Sequence, residues 1–190
     1  MAKTSGLQTD LSTYDNSWYK PGGAVRRFTW FVLGRLFINT YLPFPVGFKR
    51  MVLKLFGAKI GTNVMIKPKV NIKYPWFLVV GPNTWIGENV WIDNLAPVSI
   101  GSNCCLSQGA LLLTGNHNYK STRFDLRVSP IVLNDGVWIG ARAVVGPGVM
   151  CGSHAVLSVN SVASKDLDPY HIYGGNPALC IRKREFDGEN

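Results

Sequence analysis

Cysteine is sparse in this 190-residue chain: Cys104, Cys105, Cys151 and Cys180 are the only four, and none stand in a CxxC spacing. Adjacent Cys104 and Cys105 are poorly placed to bridge each other, so a reducing cytoplasm suits the set. Long apolar runs are missing as well. The most hydrophobic stretch, residues 24–59, is broken by Arg35, Pro43 and Pro45, well short of the roughly 18–20 residues that span a bilayer. Residues 1–23 have no apolar centre and no cleavage pattern, so secretion is not indicated. No GxSxG, GxxxxGK[ST] or HExxH occurs, and no GxGxxG follows a strand. Acidic residues are few, 11 against 20 Lys and Arg. The imbalance is local: residues 1–75 hold twelve Lys/Arg and two Asp/Glu, giving +10, while residues 76–190 hold eight and nine, giving −1. A basic excess confined to an apolar-rich leader, without a recognition motif, argues against nucleic acid as a partner.

What the chain does have is a period of six. From Leu133 to Asp168 it reads LNDGVW, IGARAV, VGPGVM, CGSHAV, LSVNSV, ASKDLD, with Leu133, Ile139, Val145, Cys151, Leu157 and Ala163 opening the blocks. Gly follows at Gly140, Gly146 and Gly152, and small or aliphatic residues recur at the fifth place, as Val137, Ala143, Val149, Ala155 and Leu167. Six matches neither a helix nor a simple alternating strand. It predicts an all-β solenoid whose first and fifth positions face inward and whose second-position glycine eases the corner. One coil cannot bury its own apolar face, so coils stack.

The repeat extends back through Leu112, Leu106, Ile100, Ile92, Ile86, Val80, Ile72 and Ile66 to Ile60, giving about five coils. Coil starts at residues 60, 80, 100, 133 and 151 lie 20, 20, 33 and 18 apart. Three hexapeptides account for eighteen, so a polar loop within residues 114–130 leaves the third coil. Loops thrown from a rigid scaffold are where function concentrates. The organisation expected is a leader and helical cap over residues 1–57, a solenoid over 58–168, and a tail over 169–190. The cap reads as helices from about Ala24 to Tyr41 and Val46 to Phe56, separated by prolines. Its basic and aromatic residues, across positions 24–56, either shield the solenoid's open end or also rest on anionic lipid.

The loop contains His117, in TGNHNY, and histidine exchanges a proton near neutrality because its ordinary pKa is about 6.5. Asn116 and Tyr119 beside it are placed to orient an imidazole or a sugar. A metal would require His117, His154 and His171 to converge. Their separations of 37 and 17 residues, with His171 beyond the last full coil, speak against it.

The run VWIDNLAPVSIGSNCCLSQGALLLTGNHNY, with FDL, PIVLNDGVWIGARAVVGPGV, SVASKDL and GGNPA after it, resembles the left-handed β-helix acyltransferases. It is most similar to the type that acts in colanic acid and related exopolysaccharide biosynthesis. The resemblance implies a left-handed parallel β-helix, against the usual right-handed crossover. It implies an acetyl-CoA-dependent O-acetyltransferase, a homotrimer with sites between neighbours and no metal. His117 matches the general base that deprotonates a sugar hydroxyl for direct attack on the thioester. Trp85, Asp93 and Asn94 match the sugar-facing wall, although Trp85 could equally pack on a neighbouring subunit and Asp93 could be a turn residue. Ala141 and Val159 match the groove for the pantetheine arm, and Ser164 and Lys165 match a pair usually written Thr-Lys. Arg182 matches a basic residue near the nucleotide phosphates, or else belongs to a solvated run with Lys183 and Arg184. The acceptor implied is a sugar or lipid-linked oligosaccharide, handled in the cytoplasm or at the inner membrane face. The competing expectation is a non-catalytic scaffold or polysaccharide-binding module with an incidental His117.

Overall fold

All fifteen first positions of the repeat, from Ile60 to Ala163, are at most 6% exposed in a computed structural model that describes residues 6–187. Strands of two or three residues carry them into three parallel faces. Lys59–Ile60, Leu78–Val80, Val98–Ile100, Ile131–Leu133 and Met150–Cys151 form the first. Met65–Ile66, Trp85–Ile86, Cys105–Leu106, Trp138–Ile139 and Val156–Leu157 belong to the second. Asn71–Ile72, Trp91–Asp93, Leu111–Leu113, Val144–Val145 and Val162–Ala163 form the third. The chain is a parallel β-helix of three faces, wound left-handed.

Coil count is the one adjustment. Five coils are complete, and a sixth begins where Leu167 bridges Cys151 and His171–Gly174 pairs in parallel with Val156–Leu157. The stretch after Asp168 is thus built into the wall. It turns back as Leu179–Lys183, antiparallel to His171–Gly174, and closes the far end of the second face. Arg184 Nη1 fastens the closure by donating to the carbonyls of Gly136 and His154 at 3.2 and 3.1 Å.

The corners divide two jobs between different residues. Left-handed backbone falls on Asn63, Asn83, Asn103, Gly136, His154 and Tyr170 along the edge between first and second faces. Lys69, Asn89, Gly109, Arg142 and Asn160 do the same between second and third, and asparagine tolerates that region better than most residues. The second-position glycines are not left-handed. A Cβ on Gly81 would lie 2.6 Å from the backbone of Gly101 and Ser102, and one on Gly140 would lie 2.6 Å from Val159 N. These glycines let successive coils approach, which differs from the corner-easing role the repeat alone suggested. Polar side chains inside the column are satisfied by backbone: Thr84 Oγ1 donates to Gly101 O and accepts from Cys104 N–H.

The helices run Ala24–Phe37 (α1) and Val46–Leu55 (α2), each slightly shorter than the apolar periodicity suggests. They seal the first coil, whose carbonyls have no preceding coil to pair with. Trp30 Nε1 donates to Ile72 O at 2.9 Å, and Lys49 Nζ reaches the carbonyls of Ile66 and Lys67 at 3.4 Å. Lys49 is only 3% exposed, and burial holds its ammonium below the usual lysine range.

Candidate active site

Each residue in excess of the hexapeptide count leaves the column at one edge, the corner leading from third face to first. The excursions are Tyr74–Phe77 after the first coil, Asn94–Pro97 after the second and Thr114–Pro130 after the third. They stack. Asn94 binds the main chain of Tyr74 through both ends of its amide, at 2.9 and 2.7 Å. Thr114 Oγ1 donates to Asp93 O and accepts from Ala96 N–H. Asn94 is fully buried with its amide engaged, so it shapes the wall and does not offer a free group to a sugar. Asp93 is 8% exposed, with Lys73 Nζ 3.1 Å from its Oδ1. That contact is ionic and misaligned for a hydrogen bond, since Oδ1 has no hydrogen-bond partner.

The third excursion is an ordered hairpin. Gly115–His117 pairs antiparallel with Leu126–Val128, setting His117 opposite Leu126. Ser121 Oγ donates to Asp125 Oδ2 at 2.8 Å within its turn, and Arg123 lies 3.5 Å from Asp125. The half-buried His117 ring is held on two sides. Phe124 stacks on it with centroids 4.2 Å apart and planes 7° from parallel, and the Phe124 carbonyl lies 2.8 Å from Nδ1. A carbonyl can only accept, so the proton is assigned to Nδ1, which leaves the Nε2 lone pair free. Phe124 itself has φ of 54°, a conformation that costs a bulky residue energy and is typically retained at functional sites. Tyr14 lies 5.8 Å from the imidazole centroid to centroid.

Sequence reasoning missed Phe124 and Tyr14. It assigned the orienting role to Asn116 and Tyr119, but Asn116 Oδ1 accepts the His117 backbone N–H and Tyr119 stands exposed. Nothing local marks Tyr14: the leader passes over the hairpin only because Asp10 N–H donates to Thr122 O, Tyr19 Oη to Leu95 O, and Trp76 Nε1 to Pro21 O. Burial, aided by Tyr74 and Asp93, holds the Tyr19 phenol well above its usual range, so it remains a donor.

The remaining residues fall elsewhere on the prism. Ala141 and Val159 share the edge between second and third faces, where Asn160 N–H donates to Ala141 O. Ser164 and Lys165 are exposed at the His117 edge. Arg182 stands exposed on the terminal strand, and Trp85 is exposed on the second face. One chain therefore puts His117 on the excursion whose first residue, Thr114, binds the Asp93 carbonyl, and sets Trp85, Ala141, Val159 and Arg182 on other parts of the prism. The histidines do not converge, since His154 stacks on Tyr170 at another corner, and no group of three metal-ligating side chains occurs among the described residues. The three cysteines of the column are not poised as nucleophiles either: burial pushes the Cys151 thiol up to about 12 and Cys104 to about 11, and raises Cys105.

No protein-family model matches the chain. A protein of Escherichia coli (strain K12) named as the colanic acid biosynthesis acetyltransferase WcaF is 34% identical over 166 residues, covering 87% of this chain and 91% of its own. The galactoside O-acetyltransferase of the same organism is 28% identical over 144 residues, 74% of this chain and 71% of its own. The hexapeptide-repeat-containing acetyltransferase of Vibrio cholerae O1 biovar eltor, solved with acetyl coenzyme A, superposes with a TM-score of 0.79 at 25% identity. That match covers 88% of this chain and 93% of the other. The chain belongs to the hexapeptide-repeat acetyltransferases. It is an enzyme of acyl transfer, and its similarity to WcaF runs through the leader as well as the solenoid.

Proposed function

We propose that the protein transfers an acetyl group from acetyl-CoA to a sugar hydroxyl of an exopolysaccharide precursor, with His117 as general base. One observation carries this reading: the Phe124 carbonyl fixes the Nδ1–H tautomer and presents Nε2 as acceptor from a rigid hairpin. Nε2 takes the hydroxyl proton as the oxygen attacks the thioester carbonyl. The tetrahedral intermediate collapses, the C–S bond breaks, and the coenzyme A thiolate leaves, recovering a proton from the imidazolium. No acyl-enzyme is needed, in keeping with the buried Cys104 and Cys151, whose thiols burial holds protonated. The test is acceptor-dependent release of coenzyme A with recovery of a sugar acetyl ester, from screens of acyl-CoA donors and isolated lipid-linked oligosaccharides. Acylated protein accumulating in place of product overturns direct transfer.

The split of these residues over the prism supports a homotrimer, in which each site takes residues from two neighbouring copies. A donor laid along Ala141 and Val159 is one edge away from His117 of the same chain. It meets an imidazole if an adjoining copy supplies the hairpin. Ser164, Lys165 and Arg182 then serve the donor, and Trp85 and Asp93 the acceptor side.

The leader supports contact with the inner face of a membrane. Among the described residues no helix is long and apolar enough to cross a bilayer, yet α1 leaves Val25, Phe28, Val32 and Leu36 exposed along one stripe. Deleting the leader is a poor test, because Trp30, Ile38 and Leu53 are core residues. Replacing Val25, Val32 and Leu36 together with Ser is expected to abolish cosedimentation with anionic vesicles while the thermal midpoint stays within about 2 °C, given exposed sites. Undiminished cosedimentation would limit the helices to a capping role.

A further inference from the structure

Between α1 and the third face of the first two coils lies a cavity of about 480 Å³ that nothing above has used. Its floor is apolar, with Trp30 and Ile72 buried beneath it, and Phe28 and Phe31 form an exposed rim. Its charge is lopsided. Arg27, Arg35 and Lys73 line it against one carboxylate, Asp93, which Lys73 already neutralises. Arg27 and Arg35 have no carboxylate partner among the described residues; the Arg35 guanidinium rests 4.5 Å from the Phe31 ring centroid. Two unneutralised guanidinium groups over an apolar floor suit phosphate oxygens, which they grip bidentately. The rim adjoins the exposed apolar stripe of α1, Val25, Phe28, Val32 and Leu36, which runs along the same helix as Arg27 and Arg35.

The cavity also adjoins the hairpin. Asp93 lines it, and the Asp93 carbonyl accepts from Thr114, the first residue of the excursion, at 2.9 Å. His117 follows three residues later, a reach of at most about 10 Å for extended chain. Trp91, half exposed on the cavity wall, offers a sugar ring an aromatic face there.

We infer that this cavity anchors an acceptor joined through a diphosphate to an apolar chain, with Arg27 and Arg35 on the phosphates and the chain along Phe28 and Phe31. The glycan then points past Trp91 toward His117. Its role as acceptor rests on the transfer reading above; the chemistry of the ligand does not.

Calorimetric titration of the full-length protein tests this with four probes: geranyl diphosphate, inorganic pyrophosphate, UDP-glucose and octyl glucoside. Geranyl diphosphate is expected to saturate one site per chain, about tenfold or more tighter than the other three. R27A/R35A is expected to weaken it at least about tenfold, as loss of charge-assisted contacts implies. R27K/R35K, which keeps the charge, is expected to lose less, and thermal midpoints report folding of both pairs. Failure of geranyl diphosphate to saturate, equal loss in the two pairs, or UDP-glucose binding as tightly overturns the assignment. H117A separates the two readings: retained transfer with intact probe binding sinks the general base and leaves the cavity's ligand standing, whereas abolished transfer without probe binding does the reverse.

Discussion

Replacing His117 with Ala lowers kcat for acetyl transfer by about 10²–10⁴, the usual worth of a positioned general base, and leaves the thermal midpoint nearly unchanged. The rate effect is large because the imidazole is the group that the hairpin holds oriented, with Nδ1 on the Phe124 carbonyl and Nε2 left to accept the proton. The stability effect is small because the ring is half-buried on a hairpin outside the column, stacked only on Phe124 and near Tyr14. KM for acetyl-CoA is expected to hold, since in the proposed site the donor is gripped by residues other than the imidazole. Added imidazole is expected to restore part of the rate by occupying the space against Phe124. A variant as active as the parent would turn the protein into a scaffold or polysaccharide-binding module with an incidental histidine.

The second large effect is on folding. Gly140→Ala adds a methyl 2.6 Å from Val159 N, 2.7 Å from Leu157 O and 2.7 Å from Ser158 C. All three are backbone atoms of the next coil, held by parallel pairing of Trp138–Ile139 with Val156–Leu157. No side chain can swing away, so the coils must separate. The expected loss is about 3 kcal/mol, at the upper end for overpacking, or roughly 6–12 °C in midpoint for a chain of this length. Gly146→Ala is the internal control. It occupies the same place in the next hexapeptide, but its nearest contact is Ala163 O at 3.1 Å, and it is expected to cost under about 1 kcal/mol. Equal losses would mean that the glycines serve something other than coil approach. Because Gly140 precedes Ala141 and sits under Val159, the same substitution is also expected to raise KM for acetyl-CoA.

The column was legible in the amino-acid order because each inward position depends only on residues six apart. Ile60, Ile86, Leu106, Ile139 and Leu157 could be placed in the core without knowing anything distant, and all are buried. The spacing of coil starts likewise located the excursion that became the His117 hairpin. The division of labour at the corners was harder to read. The repeat showed Gly140 and Gly146 as equivalents, whereas their clearances differ by half an ångström, a matter of how the next coil lies over each.

The surroundings of the imidazole were not legible at all. Tyr19 reaches Leu95 across 76 residues, and Tyr14 comes near His117 because Asp10 ties the leader to Thr122. No periodic signal spans such separations. Phe124 is a second case: a loop phenylalanine carries no mark that its backbone will turn left-handed and aim both ring and carbonyl at His117. The order of residues alone determined a six-residue period, hence a stacked column, its inward residues and the point at which it throws out a loop. Only the folded chain decided which tautomer His117 holds, what packs against its ring and what lines the cavity under α1. Those depend on contacts between segments that the repeat leaves independent of one another.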